Sequence, residues 1–107
     1  MKQDYKHVPG NRTLMPYVVQ ILNENDGTLS YVQVVYMVMF KFNLPTKMLK
    51  KAYKELGFTG SYLRKIGALK PDSKKGIWSL QEDYMNLSFD EAKRITYDKY
   101  DISLGRK

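Results

Sequence analysis

Thr46-Lys47-Met48-Leu49-Lys50-Lys51-Ala52-Tyr53-Lys54-Glu55-Leu56-Gly57 decides how this chain is read. Thr46 suits a helix N-cap and Gly57 a helix stop, so the spacing predicts an amphipathic helix over 47–56. At about 100° per residue, Lys47, Lys50, Lys51 and Lys54 fall within one arc, opposite Met48, Leu49, Ala52, Tyr53 and Leu56. One side is apolar and the other purely cationic. Like charges at these spacings repel by a few tenths of a kcal/mol per pair, so the stripe suits an anionic partner better than it suits an isolated helix.

The charge of the whole chain has the same centre. Of 107 residues, 18 are Lys or Arg and 11 are Asp or Glu, a formal charge of +7. Residues 1–45 hold four basic against three acidic groups, 46–76 nine against two, and 77–107 five against six, so the middle third carries the excess. A localised positive field matches a polyanion, whose condensed counterions are released on binding.

Outward from this segment, the elements are short and regular. Upstream, Thr13 is expected to cap a first helix with Leu14, Val18, Ile21 and Leu22 inward and Pro16 in its first turn. Asn25, Asp26 and Gly27 end it. Thr28 and Leu29 are extended at most. Ser30 and Gln33 form a capping box for a second helix to about Phe42, with Val32, Val35, Tyr36 and Met39 inward. Its β-branched content makes a strand the rival, but thirteen residues is long for one. Downstream, a shorter helix is expected from Thr59 to Ile66, closed by Gly67. It turns Tyr62, Leu63 and Ile66 inward and Arg64 and Lys65 outward. Ala68-Leu69-Lys70, a turn over 71–76, and Ile77-Trp78-Ser79-Leu80 then read as a β-hairpin with a basic tip. Ser88 and Glu91 form a second capping box for a C-terminal helix, whose expected contacts are Phe89, Ala92, Ile95 and Tyr100.

This order is mainly α with a small β-hairpin, an α+β chain, and it is the order of a winged helix-turn-helix. The expected division is a flexible tail over 1–8, a winged-helix domain over 9–82, and an accessory helix and tail over 83–107.

Three pieces also carry a likeness to a known family: Thr13-Leu14-Met15, Tyr62-Leu63-Arg64-Lys65-Ile66-Gly67-Ala68-Leu69, and Lys75-Gly76-Ile77-Trp78-Ser79-Leu80. In their order and separation they resemble the N-terminal winged-helix domain of Mrr-type restriction endonucleases, over about residues 9–82. The family places more residues ahead of the Tyr-Leu pair and has an arginine and a tryptophan where Glu55 and Phe58 stand here. Its cleavage activity resides in a separate downstream nuclease domain, so the resemblance implies DNA binding without cutting.

The expected function is therefore non-enzymatic binding of double-stranded DNA. The candidate contacts are Lys47, Lys50, Lys51, Lys54, Ser61, Arg64, Lys65, Lys70, Lys74 and Lys75, most of them suited to phosphates, which position a protein without specifying sequence. Ser61, Arg64 and Lys65 rank above Tyr62 for base edges. Trp78 is expected to pack the wing rather than stack on bases. The alternatives are an acidic protein partner on the same basic surface, and RNA. A homodimer through the tyrosine-rich C-terminal helix is a further option.

Chemistry has few openings. Without cysteine there is no disulfide and no thiolate nucleophile or metal ligand. His7 is the single histidine, and the seven glycines are dispersed rather than gathered in a phosphate loop. Pro71-Asp72 and Glu91-Ala92-Lys93 spell the "PD…ExK" of metal-dependent nucleases. That chemistry needs the acids on adjacent strands, whereas one falls in a basic turn and the other at a helix cap. No cofactor or metal is expected. The longest apolar run, Val34 to Phe40, is too short for a membrane span, so the expected location is the cytoplasm.

Overall fold

A computed structural model describes residues 7–71 and 76–106. Four helices and a small antiparallel sheet form an α+β arrangement: α1 (Asn11–Asn23), β1 (Thr28–Ser30), α2 (Tyr31–Lys41), α3 (Leu49–Lys65), β2 (Ile77–Ser79) and α4 (Phe89–Ser103). Single 3-10 turns at Thr46–Met48 and Glu82–Tyr84 lead into α3 and away from β2. No helix among the described residues is long and apolar enough to cross a membrane.

The first helix supplies the centre. Leu14, Met15, Val18, Val19, Ile21 and Leu22 are buried, and α1 packs against α2, α3 and α4. It starts earlier than expected, at Asn11 with Gly10 as its cap, so Thr13 is not the cap and Pro16 is the sixth helical residue. Distant partners hold the additional turn in place. The Asn11 amide meets the Thr59 hydroxyl of α3 at 3.0 Å, and Arg12 binds Asp101 of α4.

Both capping boxes form as the sequence indicates. Ser30 Oγ accepts from the Gln33 backbone N–H at 3.1 Å, and Ser88 Oγ accepts from that of Glu91 at 3.1 Å. The backbone N–H of Ser88 in turn donates to Glu91 Oε1, which holds that carboxyl below its ordinary pKa. Glu91 is thus a helix cap in the structure.

The α2 face differs from expectation. Val34, Val35, Val38 and Met39 face inward, while Val32 and Tyr36 lie on the outside, about half exposed. A helix apolar on nearly every side has no unique inward face in its sequence, and packing against α1 and α3 selects one.

The expected pairing of 68–70 with 77–80 is present, and the sheet gains a strand that was not expected, β1. β2 runs antiparallel to β1, with Thr28 opposite Ser79, Leu29 opposite Trp78 and Ser30 opposite Ile77. The 68–70 segment joins the other edge of β2 through a Leu69–Leu80 bridge and the bonds Lys70 N–H to Ser79 O (2.9 Å) and Gln81 N–H to Ala68 O (2.8 Å). Residues 72–75, the expected basic tip, lie outside the described residues, as do 1–6 of the expected tail.

A single cluster of buried side chains runs from α1 through Trp78 and Leu80 to Tyr84 and Ala92. α4 thereby contributes to the same core as the other elements.

Candidate nucleic-acid interface

Three consecutive features turn the 46–65 region into one long surface. Pro45 precedes the 3-10 turn, Leu49 opens α3, and the helix continues through Gly57 and Gly60 to Lys65. The expected stop at Gly57 and restart at Thr59 do not occur. Each glycine instead admits a side chain from elsewhere. A Cβ on Gly60 would stand 2.5 Å from Trp78 Cζ2, and one on Gly57 would stand 3.2 Å from the Tyr31 hydroxyl. Glycine costs roughly 1 kcal/mol relative to alanine inside a helix. Here that cost is offset by close seating of α2 and β2 on α3.

Tyr31, Tyr53 and Trp78 fill that seat. The Tyr31 ring stacks on Trp78 with centroids 5.2 Å apart and meets Tyr53 at 4.5 Å, and its hydroxyl donates to the Tyr53 carbonyl. Burial, with Tyr53 alongside, pushes the Tyr31 phenol above its ordinary pKa, so it stays a donor. The Tyr31 backbone N–H binds Gly76 O at 2.7 Å, which ties the start of α2 to the start of β2.

Continuity changes the geometry of the candidate residues. At about 100° per residue along an unbroken helix, Lys50, Lys54, Ser61 and Lys65 fall within roughly 60° of one another. Four exposed side chains are thereby aligned along about 22 Å of helix, on the side away from buried Ala52, Leu56, Thr59 and Leu63. The two-helix reading could not align them. Phe58, 51% exposed, stands beside this row and was not among the sequence candidates. Its signal was available: an apolar residue out of phase with the inward positions of its own helix.

The remaining candidates fall around this row. Lys47 lies in the 3-10 turn rather than on the helix, and Lys51 is exposed at the edge of the row. Arg64 is half-buried, turned towards the sheet with its guanidinium carbon 5.9 Å from the centre of the Trp78 ring, rather than pointing out. Ser61 is exposed, and its hydroxyl donates to Gly57 O at 3.3 Å. Tyr62 packs edge-on against Tyr100 at 4.9 Å, and Trp78 is only 4% exposed, so both act in packing. Lys70 is exposed where the chain joins β2. Lys74 and Lys75 lie outside the described residues.

The helix α3 holds five cations and one acidic residue, whereas α4 holds three against four. Among the described residues, Lys47, Lys50, Lys51, Lys54, Arg64 and Lys65 make no ion pair. The first turn of α3 has no acidic residue and Met48 provides no side-chain cap. Lys50 and Lys51 therefore sit at the positive end of the helix dipole, where a cation costs roughly 0.3–1 kcal/mol. An anion placed there would gain from the dipole and the lysines together.

A scan of protein-family models and searches of curated proteins and of solved structures return no match to this chain.

Proposed function

We propose that this protein is a winged-helix module that binds double-stranded DNA through the outer face of α3 and the adjacent wing, without catalysis. The observation that carries this reading is the row Lys50, Lys54, Ser61 and Lys65, aligned by an unbroken helix, its lysines without counter-charges among the described residues. The element order supports it: a helix, a short strand, two helices meeting through a turn, then a segment that returns along β2. The resemblance to Mrr-type N-terminal domains agrees in order and in function.

In this reading α3 enters the major groove, which is wide enough for one helix, and the lysines bind phosphates on its walls. Phe58 and Ser61 face the base edges. Phosphate contacts dominate, so binding depends strongly on salt.

Fluorescence anisotropy with a labelled duplex tests this. With four to six phosphates engaged, log affinity should fall with log salt at a slope of about −4 to −5. Duplex DNA should compete better than single strands or RNA of equal length. A flat response, absence of duplex binding at low salt, or preference for RNA overturns the reading.

A further inference from the structure

Between α2 and the first half of α3 lies an open cleft of about 580 Å³. Val32, Tyr36, Leu49 and Tyr53 line it, and Lys50 and Lys54 border it on the α3 side. Val32, Tyr36 and Tyr53 are 49%, 55% and 46% exposed, so apolar and aromatic surface is left in water along its length. A second hollow, of about 510 Å³, continues past Tyr36 and Leu49 to Phe40, which is 90% exposed. Val32, Tyr36 and Phe40 recur every fourth residue, so the apolar stripe follows α2 for about 12 Å. Contiguous apolar surface of this kind on a small domain marks an interaction site.

We infer that this groove receives the apolar face of an acidic amphipathic helix from a partner protein, and that occupancy of the groove and DNA binding exclude each other. A cleft walled by two helices, with apolar residues lining it, suits the apolar face of a third helix, with its anchors at i, i+3 or i+4, and i+7. Charge selects its character. Lys50 and Lys54 stand along the rim without ion pairs among the described residues, so carboxylates flanking the anchors meet cations already in place. A second copy of this chain offered face to face is a poorer occupant. α2 has no acidic residue and α3 only Glu55, so such a dimer would set lysine against lysine. The exclusion rests on the DNA reading above, because a helix covering Lys50 and Lys54 removes two of its phosphate contacts.

The test uses the isotope-labelled full chain and a panel of synthetic helical peptides of about 16 residues. Each peptide carries leucine or phenylalanine anchors on one face and glutamates beside them, and control peptides carry lysines in place of the glutamates. The glutamate peptides are expected to bind in the micromolar range, with amide shifts concentrated on Val32, Tyr36, Leu49 and Tyr53, and the lysine peptides are not. Tyr36→Ala should weaken peptide binding by about tenfold or more while leaving duplex affinity unchanged, whereas Lys50→Gln with Lys54→Gln should weaken both. Added glutamate peptide should release labelled duplex.

If duplex binds and no glutamate peptide binds at millimolar concentration, the groove proposal fails and the DNA reading stands. If peptide binds and no duplex does, the groove stands and the DNA reading fails. Simultaneous binding of both overturns the exclusion. A dimer abolished by Tyr36→Ala, or association with anionic vesicles in place of peptide, assigns the groove to another occupant and overturns the proposal.

Discussion

Arg12 on α1 grips Asp101 on α4 with two hydrogen bonds of 3.0 Å, lies 3.8 Å from the centre of the Tyr97 ring, and shares Asp101 with Arg106 at 3.6 Å. Lys50, Lys54 and Lys65 on α3 make no such pair among the described residues. Both regions are charged and partly exposed. In one the charge is spent inside the molecule, joining two helices whose paired residues lie 89 positions apart; in the other it is held outward. Composition cannot tell these apart, since each region contributes basic residues to the same total. The balance of charge along each helix can, with five cations to one acidic residue on α3 and three to four on α4, and it directs the search for a partner to α3.

The sharpest way to break this contrast is to remove charge from each side in turn. Replacing Lys50, Lys54 and Lys65 with glutamine should lower duplex affinity by roughly a hundredfold at low salt and flatten the salt slope by about 2.7. Thermal stability should hold, because the side chains are exposed and two lie in the first half of a helix that repels cations. Lys93→Gln with Lys99→Gln on α4 should change affinity by less than about twofold in the same assay, since exposed charges away from the docking face act only through a screened field. Equal losses from both sets would erase the distinction.

A smaller effect concerns the seat of the α3 surface. Gly60→Val would drive methyl groups into the Trp78 ring, which is buried and stacked on Tyr31 and cannot swing aside. A loss of about 1–3 kcal/mol is expected, read as a fall in thermal midpoint of several degrees. An unchanged midpoint would mean that α3 and β2 are not seated through this glycine.

The smallest effect lies on the neutralised side. Asp101→Asn should cost about 1 kcal/mol at low salt and less at high salt, because Arg12 remains 42% exposed and water screens the pair. Duplex affinity should not move. A loss of binding comparable to that of the lysine variant would place the α1–α4 seam within the interface.

Features written in adjacent residues were legible in the sequence. Ser30 with Gln33 and Ser88 with Glu91 announce two helix starts, because the bonds involved span three residues. The apolar positions of α1 and the alternation of core and lysine in α3 are equally local. What misled was set at long range. Gly57 looks like a stop until Tyr31 is known to lie against it, and Thr13 looks like a cap until Asp101 is known to hold the preceding residue, Arg12. Val32 and Tyr36 could not be told from Val34 and Val38, because each pair keeps helical spacing on an apolar helix. Of the candidate site, the lysines were found from pattern alone, whereas their alignment with Ser61 and Lys65, and the place of Phe58 beside them, needed the continuity of the helix.

Trp78 is the sole tryptophan, held between Tyr31 and the α3 backbone with Arg64 close to its ring. The protein therefore carries its own optical probe at the junction of α3 and the sheet. Any ligand that draws Arg64 away or lifts β2 will alter the emission of one fluorophore, so binding can be followed in unlabelled protein by its colour.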